Sequence, residues 1–171
     1  AYIQDKMEFD EMVVNIGIRY DYFDPESVYP SNRRNPSNQL TYKDTSGVLI
    51  DSLMSTYPDA EIIDQISPRI GFAYQLGNEA VLHFSYGHFF QMPPLYAMYQ
   101  NHSFLIPPND HGTTMGNVRL EPEKTITYEI GLWQELTRGL SLDVALFYRD
   151  IYNLLSAQVF STYNQIEYGL Y

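Results

Sequence analysis

His102, Asp110 and His111 share one polar stretch, and imidazole with carboxylate is a donor set that suits first-row transition metals. Their spacing matches no closed metal motif, so no metal ligand is assigned and no cofactor is expected. Asp59, Glu61 and Asp64 lie in another polar stretch, where they read as a solvated surface rather than an acid–base pair held in register. Gly-x-Ser-x-Gly elbows, phosphate-binding glycine loops and His-Glu-x-x-His are all missing, no catalytic residue is assigned, and the chain is not expected to be an enzyme. Recognition is the better-supported chemistry. Phe89, Gln91, Tyr96, Tyr99, Asn101 and His102 surround Pro93 and Pro94, and aromatic rings beside prolines make rigid contact surfaces at low entropic cost. With Asp21, Arg69 and Arg149 from neighbouring segments they form the candidate ligand-binding set. For each residue taken singly, the competing role is packing in a loop or an interfacial aromatic girdle.

The segments that carry these residues alternate with a period of two, which is the period of a strand. One set of rows reads Val14, Ile16, Ile18, Tyr20, Tyr22; Ile70, Phe72, Tyr74, Leu76; Leu82, Phe84, Tyr86, His88; Ile126, Tyr128, Ile130, Leu132, Gln134; and Leu140, Leu142, Val144, Leu146, Tyr148. None of these is Lys, Arg, Asp or Glu. The intervening rows hold Arg19, Asp21, Arg69, Glu129, Asp143 and Arg149. Apolar-out, polar-in strands of about ten residues are the pattern of a transmembrane β-barrel, where a mid-bilayer charge on the lipid face costs roughly 2–4 kcal/mol. A soluble β-sandwich also alternates. Against it stand segments longer than the usual five or six residues, connections that are by turns very short and very long, and Tyr and Phe gathered near strand ends. Outer-membrane lipid is therefore an expected partner.

Composition narrows the function classes. The chain has 171 residues, 16 of them tyrosine, a surplus that suits a membrane interface. Its 21 acidic against 10 basic side chains give a net charge of −11, which argues against nucleic acid as a partner because phosphate binding needs clustered cations. No run of eighteen apolar residues exists for a transmembrane helix. With no cysteine there are neither disulfides nor thiolate sites. No signal peptide is recognisable, and both ends read as strands, so the chain is expected to be a piece of a larger protein.

Along the chain, a first hairpin pairs 1–7 with 12–23 across a short acidic turn. A long polar stretch from Asp24 to about Gln65 is broken by Pro25, Pro30, Pro36 and Pro58. A second hairpin takes 66–76 and 80–90 around Gly77-Asn78-Glu79. A second long excursion runs from Gln91 to about Pro122, with a short helical turn expected after the prolines. A third hairpin pairs 123–135 with 140–152, and a seventh strand is expected over 161–171. Short turns fall on one side and long loops on the other, as periplasmic turns and extracellular loops do.

Ile66-Ser67-Pro68-Arg69-Ile70-Gly71-Phe72 and Phe84-Ser85-Tyr86-Gly87-His88-Phe89-Phe90-Gln91-Met92-Pro93 resemble the barrel of TonB-dependent outer-membrane receptors. So do Gly116-Asn117-Val118-Arg119-Leu120-Glu121-Pro122-Glu123, Tyr128-Glu129-Ile130-Gly131 and Leu146-Phe147-Tyr148-Arg149-Asp150-Ile151, while Asn15-Ile16-Gly17-Ile18-Arg19-Tyr20-Asp21 is similar to the hairpin that precedes them. The resemblance spans nearly the whole chain. It implies an all-β fold: residues 1–171 as about seven strands of a 22-stranded transmembrane antiparallel barrel in the cell outer membrane, with long extracellular loops. The plug domain and remaining strands would lie elsewhere in the protein. It also implies import of a scarce nutrient, a small-molecule or oligosaccharide ligand such as siderophore-bound iron, cobalamin or a glycan, driven by the TonB complex through that plug. A structural or adhesive barrel that displays its loops is the alternative. Gly17, Gly71, Gly87 and Gly131 all fall on lumen rows, where they would either admit the plug or relieve strand curvature. The lumen charges are expected to pair with one another or with the plug.

Overall fold

The computed structural model describes residues 1–39, 41, 43, 45–107 and 113–171. Two compact units emerge, one from residues 1–23, 64–91 and 122–154, the other from 24–63, 92–121 and 155–171.

The first unit is an antiparallel sheet of six strands in the order β1 (Tyr2–Glu8), β2 (Met12–Phe23), β3 (Ile63–Leu76), β4 (Ala80–Gln91), β6 (Glu123–Thr137) and β7 (Leu140–Tyr152). Cross-strand register keeps the two kinds of row apart. Phe72 faces Phe84, Phe84 faces Ile130, and Ile130 faces Leu146 on one side. On the other, Arg69 faces Gly87, Gly87 faces Thr127, and Thr127 faces Arg149. The described residues leave the apolar side uncovered: Ile18 is 48% exposed, Ile130 47% and Leu146 67%. In water each such side chain would forfeit about 1.5–3 kcal/mol of burial, so this face is built for hydrocarbon. Strand β6, with 15 residues, reaches about 50 Å at roughly 3.3 Å per residue, enough to cross an apolar band about 25 Å tall even when tilted by about 45°. No helix among the described residues is long and apolar enough to cross a membrane.

Tyr86, Tyr128 and Tyr148 form a ring-to-ring row on the apolar face, with centroids 5.0 and 6.3 Å apart. Lys124, Asp150 and Tyr152 follow toward the long-loop end, where β6 and β7 pair Ile126 with Asp150 and Lys124 with Tyr152. Charge thus returns to that face only beyond the tyrosines. Strand β1 departs from the rule, since Asp5 faces Ile16 on the apolar side.

The second unit corrects one expectation. Residues 161–171 do not add a seventh strand to the wall. Residues 158–170 instead form β8 (Gln158–Ser161) and β9 (Glu167–Leu170), a hairpin that joins β5 (Thr114–Met115) in a separate three-stranded sheet. The long polar stretches carry a core of their own. Ile106, Met115, Tyr168 and Leu170 make a buried cluster, with Phe104, Phe160 and Ile166 packed against it. The expected helical turn is present as α1 (Leu95–Tyr99), which buries Ala97 and Met98. Gly116 is required where it packs on α1: a Cβ there would meet the Met98 carbonyl group at 2.6 Å and the Gln100 amide nitrogen at 2.7 Å. That close approach lets the Gly116 amide donate to the Gln100 carbonyl and the Asn117 amide to the Ala97 carbonyl.

Asparagines spaced by three hold the proline-rich part. The Asn32 and Asn35 side-chain amides both donate to the Leu53 carbonyl at 3.1 Å. Asn38 accepts from the Ser55 amide and donates to the Ser55 carbonyl, while the Ser55 hydroxyl donates to the Asn35 carbonyl at 2.8 Å. A segment with too few apolar residues for a large core is thus fixed by backbone groups satisfied through side chains.

Candidate ligand-binding site

In the sheet unit, the polar face forms an open trough of about 920 Å³ lined in part by Arg19, Arg69, Phe89, Glu129 and Arg149. Alternation places all five on that face. Arg19 is neutralised locally: its Nε donates to Asp21 at 2.7 Å, and its Nη2 donates to the Phe90 carbonyl at 3.3 Å. Asp21 therefore acts on the trough by orienting Arg19. The other two arginines have no carboxylate partner among the described residues. Arg69 stacks on Phe89 at 4.8 Å and Arg149 on Phe147 at 5.1 Å, each guanidinium lying over a ring with donors left for another group.

The lumen glycines divide. At Gly131 a Cβ would collide with the His83 imidazole, so the glycine seats a side chain from the neighbouring strand. His83 Nε2 then lies 3.7 Å from Glu129. At Gly87 the nearest atoms belong to Phe89 and Arg69. Gly17 and Gly71 have only ordinary contacts above them. At two of the four positions this chain fills the space itself.

The remaining sequence candidates outside the trough are spread differently. Gln91 ends β4 opposite Glu123. In the second unit Tyr96 is 59% exposed and meets Tyr171 edge-on at 5.8 Å. Tyr99 is half-buried, and its hydroxyl donates to the Pro25 carbonyl at 2.9 Å. Burial first, then Asp24 and Glu26, push that phenol above its ordinary pKa. Asn101 turns the backbone at φ +52°, donates to the Leu105 carbonyl and accepts from Ser103. Its visible role is to shape the loop. His102 is exposed, on a small cleft that also includes Arg33, Tyr29 and Arg119. Asp110 and His111 lie outside the described residues, and no group of three metal-ligating side chains occurs among the described ones.

Three arginines of this unit escaped the sequence reading. Arg33 stacks on Phe160 at 5.1 Å, Arg34 on Tyr163 at 5.7 Å and Arg119 on Tyr29 at 4.6 Å. Tyr168 anchors the first of them, donating to the Arg33 carbonyl at 2.6 Å. Neither spacing nor period marks these pairs, because the partners lie far apart in sequence.

Comparison with known proteins agrees with this architecture. The family described as TonB dependent receptor-like, β-barrel matches residues 1–169. Among solved structures, a double mutant of the Serratia marcescens hemophore receptor HasR, in complex with its hemophore HasA and heme, is similar with a TM-score of 0.63 at 18% identity. That match covers 99% of this chain and 28% of HasR. The ferric-catecholate import receptor Fiu of E. coli K12 follows at a TM-score of 0.46 and 21% identity, over 97% of this chain and 22% of Fiu. The chain thus spans about a quarter of the length of each. No curated protein sequence matches it.

Proposed function

The chain belongs to the β-barrel family of TonB-dependent receptors, and from that premise we infer that it is the part of an outer-membrane import receptor that supplies wall strands and an extracellular recognition unit. Members of this family are transport receptors rather than enzymes, and they reside in the outer membrane. The observation that carries the reading is the match over residues 1–169 together with a sheet whose apolar face is uncovered and whose opposite face carries a cationic trough. The ligand is a scarce nutrient, siderophore-bound iron, cobalamin or an oligosaccharide, bound by extracellular loops and lumen-facing residues and released inward by a TonB-coupled plug supplied outside this sequence. HasR, captured with a hemophore and heme, is an instance of such binding by a protein of the same fold.

Display of the loops for structure or adhesion is the second reading, favoured by the fact that the long connections form a unit with its own core. Growth decides between them. A strain lacking the receptor, its parent and a tonB deletion are grown with iron as heme or as a ferric catecholate, with cobalamin, or with oligosaccharides as the limiting nutrient. The import reading expects one nutrient on which receptor loss and tonB loss give the same defect. Equal growth of parent and receptor deletion on every nutrient overturns it in favour of display.

A further inference from the structure

The acid-free cleft of the second unit points to the charge of the ligand. It is lined by Arg33, Arg119, His102, Tyr29, Tyr99 and Tyr168 among others, and none of its described lining residues is Asp or Glu. In a chain with 21 acidic side chains against 10 basic ones, that lining runs against the overall charge. The cations are also held in place. The Arg119 guanidinium lies 4.6 Å from the centre of the Tyr29 ring and that of Arg33 5.1 Å from Phe160, and both arginines are exposed. A guanidinium so held gives up little freedom on forming a forked pair with a carboxylate. Tyr99 and Tyr168 have their hydroxyls committed to the Pro25 and Arg33 carbonyls, so they add no competing donors. The open space is about 30 Å³. One water needs about 10–15 Å³ on the same measure, so the cleft has room for one small polar group and not for a whole nutrient.

We propose that this cleft, between Arg33, Arg119 and His102, receives a carboxylate or phenolate group projecting from the imported ligand, so that the receptor selects anionic nutrients over neutral ones. The proposal rests on the import reading for the identity of its ligand, but its test does not use transport. The full-length receptor, purified in detergent, is titrated with 4-fluorobenzoate and with the neutral isostere 4-fluorobenzamide, and binding is followed by fluorine NMR. The expected result is saturable binding of the benzoate, at least about tenfold weaker binding of the amide, and a similar loss for benzoate in Arg33→Gln/Arg119→Gln, the size expected from removing charge-assisted hydrogen bonds. Arg119→Lys, which keeps the charge, should retain part of the affinity. A heat-dependent gel shift establishes that the barrel of each variant is folded, and protease resistance of residues 24–63 and 155–171 that its second unit is. Benzoate that does not bind, binds no better than the amide, or binds the double variant as well as the parent overturns the proposal. Any of these results leaves the growth experiment untouched, and an absence of TonB-dependent growth would sink the import reading without altering the benzoate result.

Discussion

Residue types place charges on the correct face, but they do not say which groups meet. Arg19 and Asp21 are two apart on one strand and pair as expected, while Arg69 and Arg149 turn to phenyl rings. Parity fixes the side of the sheet on which a side chain lies and leaves its rotamer open, which is why the aromatic partners were not legible. Gly131 shows the same limit. Its place on the polar face could be read from the sequence, whereas the His83 ring above it could not. Gly131→Ala should therefore overpack this spot and cost about 1–3 kcal/mol. The check is the temperature at which the intact barrel loses its folded gel mobility: it should fall for Gly131→Ala and recover in His83→Ala/Gly131→Ala. An unchanged transition for the single variant would mean that the ring does not occupy that position.

Strands were the most legible elements, because a charge at mid-bilayer on the face that meets hydrocarbon is costly and the period of two is then written in residue type, with Asp5 of β1 the exception. Ile130→Arg or Val144→Arg should each cost about 2–4 kcal/mol at mid-bilayer and block assembly of the intact protein. Asp143→Asn, opposite Trp133 on the polar side, should leave assembly unchanged. The measurement is the amount of heat-modifiable protein in the outer-membrane fraction, and equal yields for the two faces would reverse the inside–outside assignment. Residues 161–171 misled for a simple reason. Tyr168 and Leu170 alternate as a wall strand would, and the period identifies a strand without identifying its sheet. The stretch from Asp24 to about Gln65 was legible only in part. Its prolines and asparagines correctly exclude long strands, yet the Asn32–Asn35–Asn38 series binds Leu53 and Ser55 through hydrogen bonds that no hydrophobic pattern records.

At the scale of the whole molecule, two compact units with different interiors should respond to different challenges. Burial pushes the Tyr168 phenol up to about 12, with Arg33 pulling weakly the other way. A pKa raised on folding gives stability that is fully present below the unfolded value of about 10 and is lost as pH climbs through the folded one. Residues 24–63 and 155–171 should thus become cleavable by an alkaline-active protease between about pH 10 and 12, and Tyr168→Phe should lessen that sensitivity, with the raised Tyr99 phenol contributing to what remains. Gly116→Ala should open the same unit at neutral pH, because the obstructing atoms are backbone and cannot step aside. Its fingerprint would be loop cleavage with the wall fragments still resistant to heat in the gel. Coincident loss of both would contradict a separate loop core.

Trp133, the chain's single tryptophan, sits on the polar face opposite Val81 and Asp143. It is therefore an intrinsic optical reporter of the polar face of the sheet. In a protein whose other tryptophans are replaced by phenylalanine, its emission should be quenched by aqueous acrylamide and spared by brominated lipid, and a shift in its wavelength would register any change of polarity against that face.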